Sequence, residues 1–187
     1  MNADLVGKVV NLASRTARFV KGRALPATYP AHRDGGLFAA GAAAADELAL
    51  AYESLDTSRA MRTIMGLADR ANEFVEAQAP WNLKKDPAKD GELLEVCAIA
   101  LNLFRQITVY LAPVLPRFAE ESARLLSLAE PTLWADAAQP VVGRTVAEFR
   151  PLMERVDPAK VEALLAAARA MSDEATGGAA GSAASPD

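Results

Sequence analysis

Apolar residues recur along this chain at steps of three and four, the spacing that places side chains on one face of a helix. Leu5, Val9, Leu12, Ala13, Thr16 and Val20 form such a stripe and predict a first helix over about 5–21. Asn2 or Asp4 is its candidate N-cap and Gly22 its stop. Pro26, Pro30, Gly35 and Gly36 mark an irregular connection over 22–36. A second helix follows at 37–53, with Phe38, Ala42, Ala45, Leu48, Ala49 and Tyr52 on one side. Asp56, Thr57 and Ser58 offer a cap for a third over 59–78, whose inward stripe is Met61, Ile64, Met65, Ala68, Ala71, Val75 and Ala79. Pro80 closes it, since proline cannot donate the next helical hydrogen bond and restricts the residue before it.

Asp90 is the candidate cap of a fourth helix reaching about 111, with Leu93, Val96, Ala100, Leu103, Ile107 and Tyr110 as its seam. Pro113 and Pro116 interrupt the chain, and Pro116 suits the first turn of a fifth helix through 126. Residues 127–150 lose periodicity, and 141–146 reads as a short extended piece. An Ala- and Leu-rich helix is expected over 158–172. The Gly/Ala/Ser segment from 176 onward reads as a disordered tail, because it has too little to bury.

The fold class these patterns predict is all-α: an antiparallel bundle of four to five helices with an irregular extension, a final helix and a tail. The expected divisions are 1–126 for the bundle, 127–174 for the extension and last helix, and 175–187 for the tail. A chain of 187 residues that is 51% hydrophobic has enough apolar surface for such a core. No stretch reads as the roughly 20 uncharged apolar residues of a membrane span, so no membrane partner is expected. The N-terminus lacks the layout of a secretory leader, and a cytoplasmic location is the default expectation.

A net charge of −4 argues against a polyanion binder held by bulk positive charge. A nucleic-acid partner would require the cations to be gathered on one face. Catalytic signatures are missing: no phosphate-cradling glycine loop, no His-Glu pair at metal spacing, no nucleophile elbow. No catalytic residue, metal site or cofactor is therefore expected in this chain. Cys97, the single cysteine, sits among apolar neighbours and reads as a core residue. His32, the single histidine, falls in the Pro/Gly-rich connection and reads as a solvated loop residue.

The first helix carries a polar stripe as well. Lys8, Asn11, Arg15 and Arg18 follow steps of three, four and three, which line one face. Asn offers a donor and an acceptor, and Arg a planar fork of donors, so such a face can read base edges or hold phosphates. A solvated surface explains the same stripe. Trp81 follows Ala79-Pro80 at a helix end, with Lys84 and Lys85 just downstream. An aromatic at such a corner suits a platform for an unstacked base or a lid on the core, and the pattern leaves both readings open. Trp134 has no comparable basic company and reads as packing.

Asn2-Ala-Asp-Leu-Val-Gly-Lys-Val-Val-Asn11-Leu-Ala-Ser-Arg15 resembles the opening helix of the anticodon-binding domain of bacterial methionyl-tRNA synthetases. Glu76-Ala-Gln-Ala-Pro-Trp81 is similar to the segment presenting that family's anticodon-stacking tryptophan. Asn102-Leu-Phe-Arg105 and Tyr110-Leu-Ala-Pro-Val-Leu-Pro116 look like its next long helix and proline-marked end. The order and spacing agree over about residues 2–155. The resemblance implies that Asn11, Arg15 and Trp81 recognise a CAU anticodon, the tryptophan stacking on a splayed base while Asn and Arg bond to bases. Lys8, Arg18, Lys84 and Lys85 are then the expected phosphate contacts. Gly7 departs from the pattern, standing one turn before Asn11 where close relatives would carry a second asparagine.

The family activates methionine with ATP in an upstream Rossmann-type domain, whose His-Ile-Gly-His-like and Lys-Met-Ser-Lys-Ser-like signatures do not occur here. The chain alone is thus expected to be catalytically inactive and to use no cofactor. A split subunit, a gene fragment and an excised domain all fit that pattern. The expected partners are initiator and elongator methionine tRNAs, with a separate synthetase core as a further one. The alternative function is a helical assembly subunit docking on that core, with Phe149, Leu152 and Met153 as its candidate apolar patch.

Overall fold

Val9, Leu12, Ala13, Thr16, Ala17 and Val20 are buried, as a stripe at helical spacing demands. They belong to one irregular-to-regular helix: a π-helical stretch, Leu5–Val10, runs into α1, Asn11–Val20. The computed structural model describes residues 5–128, 133–150 and 161–169. Asn2, Asp4, the side chain of Leu5 and the tail after 169 lie outside the described residues, as does most of the 127–132 stretch.

The second predicted helix is two. α2, Leu37–Ala43, and α3, Ala45–Glu53, are separated at Ala44. The break lets Gly41 approach α6 closely while Leu48 and Ala51 enter the core. α4, Thr57–Gln78, is capped by Asp56, whose carboxylate accepts from the Arg59 amide at 3.0 Å. Its buried side is Ala60, Ile64, Leu67, Ala68, Ala71, Phe74 and Val75. Met61 and Met65, expected inside, are only partly buried, so the buried face is turned toward the Ala60–Leu67–Phe74 edge.

Ala79 then takes a left-handed conformation, φ 43°, and Pro80 starts the short α5, Pro80–Leu83. A 3₁₀ turn, Pro87–Lys89, leads into α6, Asp90–Leu111, and α7 is Pro116–Leu125. Asp90 is not the cap of α6. It is the first helical residue, and its carboxylate pairs in fork fashion with Arg23 at 2.9 and 2.7 Å. That pairing holds the Asp90 carboxyl below the ordinary carboxylate range.

α6 is the centre of the bundle. Leu93 through Leu111 are almost all buried, and α1, α2, α4 and α7 pack around it. By length and apolarity Pro87–Leu111 would suffice to cross a bilayer, contrary to the sequence expectation, but its side chains are buried by the surrounding helices. Helix directions follow from pairings of nearly constant offset. Lys8 meets Asp69 and Arg15 meets Glu76, both 61 residues apart, so α1 and α4 run parallel. Gln106 bonds to Phe38 and Tyr110 to Gly41, 68 and 69 residues apart, so α2 and α6 run parallel as well. Arg23, just past α1, pairs with Asp90 at the start of α6, which makes the two sets antiparallel. The bundle is all-α and up-down.

The extension is held by polar side chains buried on α6. Asn102 both donates to the Val141 carbonyl at 3.0 Å and accepts from its amide at 2.6 Å. Arg105 donates to the carbonyls of Asp136 and Gln139, and Gln106 to that of Ala137. A 3₁₀ turn, Trp134–Ala138, thereby packs on the bundle, with Trp134 edge-on to Tyr52 and tilted against Tyr110, the packing role expected for it. The extended piece over 141–146 pairs back on the 22–26 connection, through one antiparallel bridge, Ala24 with Thr145. Gly22 and Leu25 donate to the carbonyls of Val146 and Arg144. Residues 1–153 form one compact unit, which includes this extension. In the second unit, residues 161–169 are helical and exposed, α8, and the remainder of the 158–172 prediction lies outside the described residues.

Candidate nucleic-acid interface

Two stretches far apart in the chain meet beside the α4–α5 corner. Left-handed Ala79 ends α4, its amide bonded to the Val75 carbonyl at 3.0 Å, and Pro80 fixes the turn into α5. Trp81 is carried at this corner, half-buried against the core. The guanidinium carbon of Arg15 lies 4.7 Å from the centroid of a Trp81 ring, within cation–π range. Arg15 Nη2 also donates to Glu76 Oε2 at 2.7 Å. One guanidinium therefore bridges the end of α4 and the indole beyond it.

Asn11 is exposed one turn before Arg15 and shares its face of α1. Arg18 is exposed further along, its guanidinium over the ring of Phe19 at 4.7 Å. Lys8 reaches Asp69 at 2.8 Å, so this predicted phosphate contact is engaged within the protein. Lys84 and Lys85 are exposed at the end of α5; Lys85 donates to Asn82 at 3.0 Å, and Lys84 lies near enough to Asp90 to help hold that carboxyl charged. Gly7 is exposed, and a Cβ there would meet nothing within 4 Å, so the missing asparagine is not a matter of space.

Sequence reading missed the acidic partners. Asp69 pairs with Lys8 and Glu76 with Arg15, and Asp69 to Glu76 on α4 is seven residues, as is Lys8 to Arg15 on the first helix. Matching seven-residue steps of opposite charge were the available signal. Asn72 adds a bond from its side-chain amide to the Lys8 carbonyl at 3.1 Å, which serves a backbone acceptor in the π-helical stretch. Together these contacts fix the register of α1 on α4, and hence the place of Arg15 on the indole.

Cys97 and His32 are the other residues considered for chemistry. Cys97 has no exposure, and burial pushes its thiol up to about 12. In folded protein at pH 8 it is expected to resist a thiol reagent and to react promptly only in denaturant; fast native labelling would contradict its burial. His32 is exposed but not without a neighbour, its Nε2 3.7 Å from Glu95 Oε2. Among the described residues no group of His, Cys, Asp and Glu could hold a metal ion. Phe149, expected on an apolar patch, packs partly buried on the core, while Leu152 and Met153 lie outside the described residues.

A helical bundle presenting a cation-stacked indole beside an Asn/Arg face has the parts of a surface for unpaired bases. Residues 28–166 match the family model described as the anticodon binding domain of methionyl tRNA ligase. The chain belongs to that family of anticodon-binding domains. It is 52% identical over 182 residues to methionine–tRNA ligase 1 of Sorangium cellulosum and 49% identical over 181 to a methionine–tRNA ligase of Rhodopirellula baltica. Those matches take in 97% and 96% of this chain but 26% of each relative, so the chain spans about a quarter of their length. Apo methionyl-tRNA synthetase of Mycobacterium tuberculosis shares the fold, with a TM-score of 0.74 over 84% of this chain and 33% of that one at 22% identity. The same synthetase bound by methionyl-adenylate gives 0.71 over 82% and 32%, at 21% identity.

Proposed function

We propose that this chain recognises the CAU anticodon of initiator and elongator methionine tRNAs, in the cytoplasm, for a methionylation reaction carried out elsewhere. Trp81 stacks on a splayed anticodon base, and Asn11 and Arg15 bond to base edges. Arg18, Lys84 and Lys85 meet the flanking phosphates; Lys8 joins them only by giving up Asp69. The single observation that carries the reading is Arg15 lying 4.7 Å over Trp81, because it joins the polar face of α1 to the aromatic corner 66 residues later in one surface. The ATP and methionine chemistry is assigned to a synthetase core, which corresponds to the part of the relatives that this chain does not span.

The test compares binding of anticodon stem-loops carrying CAU and a changed triplet, by anisotropy of a labelled RNA. CAU is expected to bind more tightly, and equal binding would overturn the reading. Affinity for the CAU stem-loop should also fall with salt. Three phosphate-facing cations predict a slope of log K against log salt of about −2, using roughly 0.7 per phosphate for single strands. A slope near zero would remove Arg18, Lys84 and Lys85 from the interface.

A further inference from the structure

Trp81 is not the only aromatic ring at this corner that a guanidinium covers. Phe19 follows Arg15 by four residues, so its side chain lies one turn, about 6 Å, further along the same edge of α1. The offset of 61 residues that joins Lys8 to Asp69 and Arg15 to Glu76 brings Phe19 level with Pro80, at the turn that carries Trp81. The ring is partly exposed and packs against the core from its buried side. Arg18 puts its guanidinium carbon 4.7 Å from the Phe19 ring centroid, the same distance at which Arg15 lies over Trp81. Phe19 has no task in the recognition proposed above. A guanidinium and a nucleobase are both flat and both stack on an aromatic face, so a ring that accepts the one can accept the other.

We propose that Phe19 is a second base platform, which stacks an unpaired nucleotide of the RNA loop outside the triplet met by Asn11, Arg15 and Trp81. The role rests on the anticodon reading for its ligand. In the free chain Arg18 covers the ring. When a base arrives, the guanidinium moves off the face and onto the phosphate of that nucleotide, which offers it a charged acceptor. A phenyl ring has no donor or acceptor with which to read a base edge, and every base has a face to stack. Phe19 therefore contributes affinity without choosing the base. The surface then has two parts: Asn11, Arg15 and Trp81 discriminate among triplets, while Phe19 and Arg18 anchor a neighbouring nucleotide.

Phe19→Leu keeps the apolar packing and removes the ring. It should weaken binding of stem-loops carrying CAU and a changed triplet by the same factor, about fivefold or more, so that the ratio between them stays within about twofold of the parent's. Phe19→Tyr keeps the aromatic face and should bind both within about twofold of the parent. CAU stem-loops with one abasic nucleotide, placed in turn at each loop position outside the triplet, locate the stacked base. The parent should lose about fivefold at one position, and Phe19→Leu should lose nothing further there. A thermal melt accompanies each variant. A folded Phe19→Leu chain that binds both stem-loops like the parent makes Phe19 a packing residue, and a loss confined to CAU makes it part of triplet reading; either overturns the proposal. So does a Phe19→Tyr chain as weak as Phe19→Leu, or an abasic loss that Phe19→Leu repeats in full. A parent that loses nothing at any abasic position does the same without recourse to a variant. All of these leave the anticodon reading intact. A parent that binds both triplets alike overturns that reading instead, and Phe19 then stands or falls on the abasic comparison.

Discussion

Replacing Trp81 by alanine is expected to weaken binding of a CAU stem-loop by roughly 5- to 150-fold. The range converts the 1–3 kcal/mol that one base–aromatic stack contributes into a ratio of dissociation constants. The lower part applies if the base keeps its contacts to Asn11 and Arg15 once the platform is gone. Arg15 is still anchored in that variant, because its bond to Glu76 at 2.7 Å does not involve the indole. The loss should therefore fall on stacking and leave the polar contacts in place. Trp81→Phe provides the control: it keeps an aromatic face at the same corner and should recover most of the affinity. The indole is half-buried against the core, so both variants need a thermal melt beside the binding curve. Helical content should be unchanged, since Pro80 and Leu83 hold α5 to the core from positions the substitution does not touch. If Trp81→Ala and the parent bind the stem-loop equally while both are folded, the indole is a lid on the core and has no place in recognition.

That choice, lid or platform, is where sequence reasoning stopped, and the reason is geometric. A stripe such as Val9, Leu12, Ala13, Thr16 and Val20 is legible because helical periodicity is a local property: the residues that share a face are fixed by spacing alone. Proline and the polar caps were legible for the same reason, as Pro80, Pro116 and Asp56 show. The edge of a buried face is not local. Ile64, Ala68, Ala71 and Val75 lie at the centre of either reading of α4, but whether Met61 or Ala60 completes the set depends on which neighbours flank the helix. Likewise, nothing local says that a helix must break at Ala44; the close approach of Gly41 to α6 is a property of the pair. The Asp90 cap failed because Arg23, 67 residues away, claims its carboxylate.

The candidate site divides along the same line. Asn11, Arg15 and Arg18 were found as one face because they are neighbours on one helix. Trp81 was found as a separate feature with two possible roles. Their juxtaposition depends on the register of α1 against α4, which Lys8–Asp69 and Arg15–Glu76 set across 61 residues. The resemblance to a known family had already put these residues together by implication, without the acidic partners that align them.

The fold itself has a point where a single methyl group should be felt strongly. Gly41→Ala is expected to destabilise the domain by about 2–4 kcal/mol, and so to lower its melting temperature by roughly 5–15 °C for a chain of this size. Gly41 lies in α2 with ordinary helical backbone, so alanine would by propensity alone be the better residue there, by roughly 1 kcal/mol. The opposing effect is steric. A Cβ built on Gly41 would overlap the Oε1 and Cδ atoms of Gln106, which is buried on α6 with 2% exposure. The end of a glutamine can swing aside on a surface, but this one is pinned. Its Nε2 donates to the Phe38 carbonyl at 3.1 Å and to the Ala137 carbonyl at 2.7 Å, tying α2 and the Trp134–Ala138 turn to α6. Moving it strands two buried carbonyls and the amide that served them, and unmade buried hydrogen bonds cost about 1–3 kcal/mol each. The steric account makes a further demand. Gln106→Ala alone should also destabilise, but adding Gly41→Ala to it should then cost almost nothing, because the atoms in conflict are gone. Strict additivity of the two substitutions in a denaturant titration would mean that the close approach at Gly41 is not what holds α2 against α6.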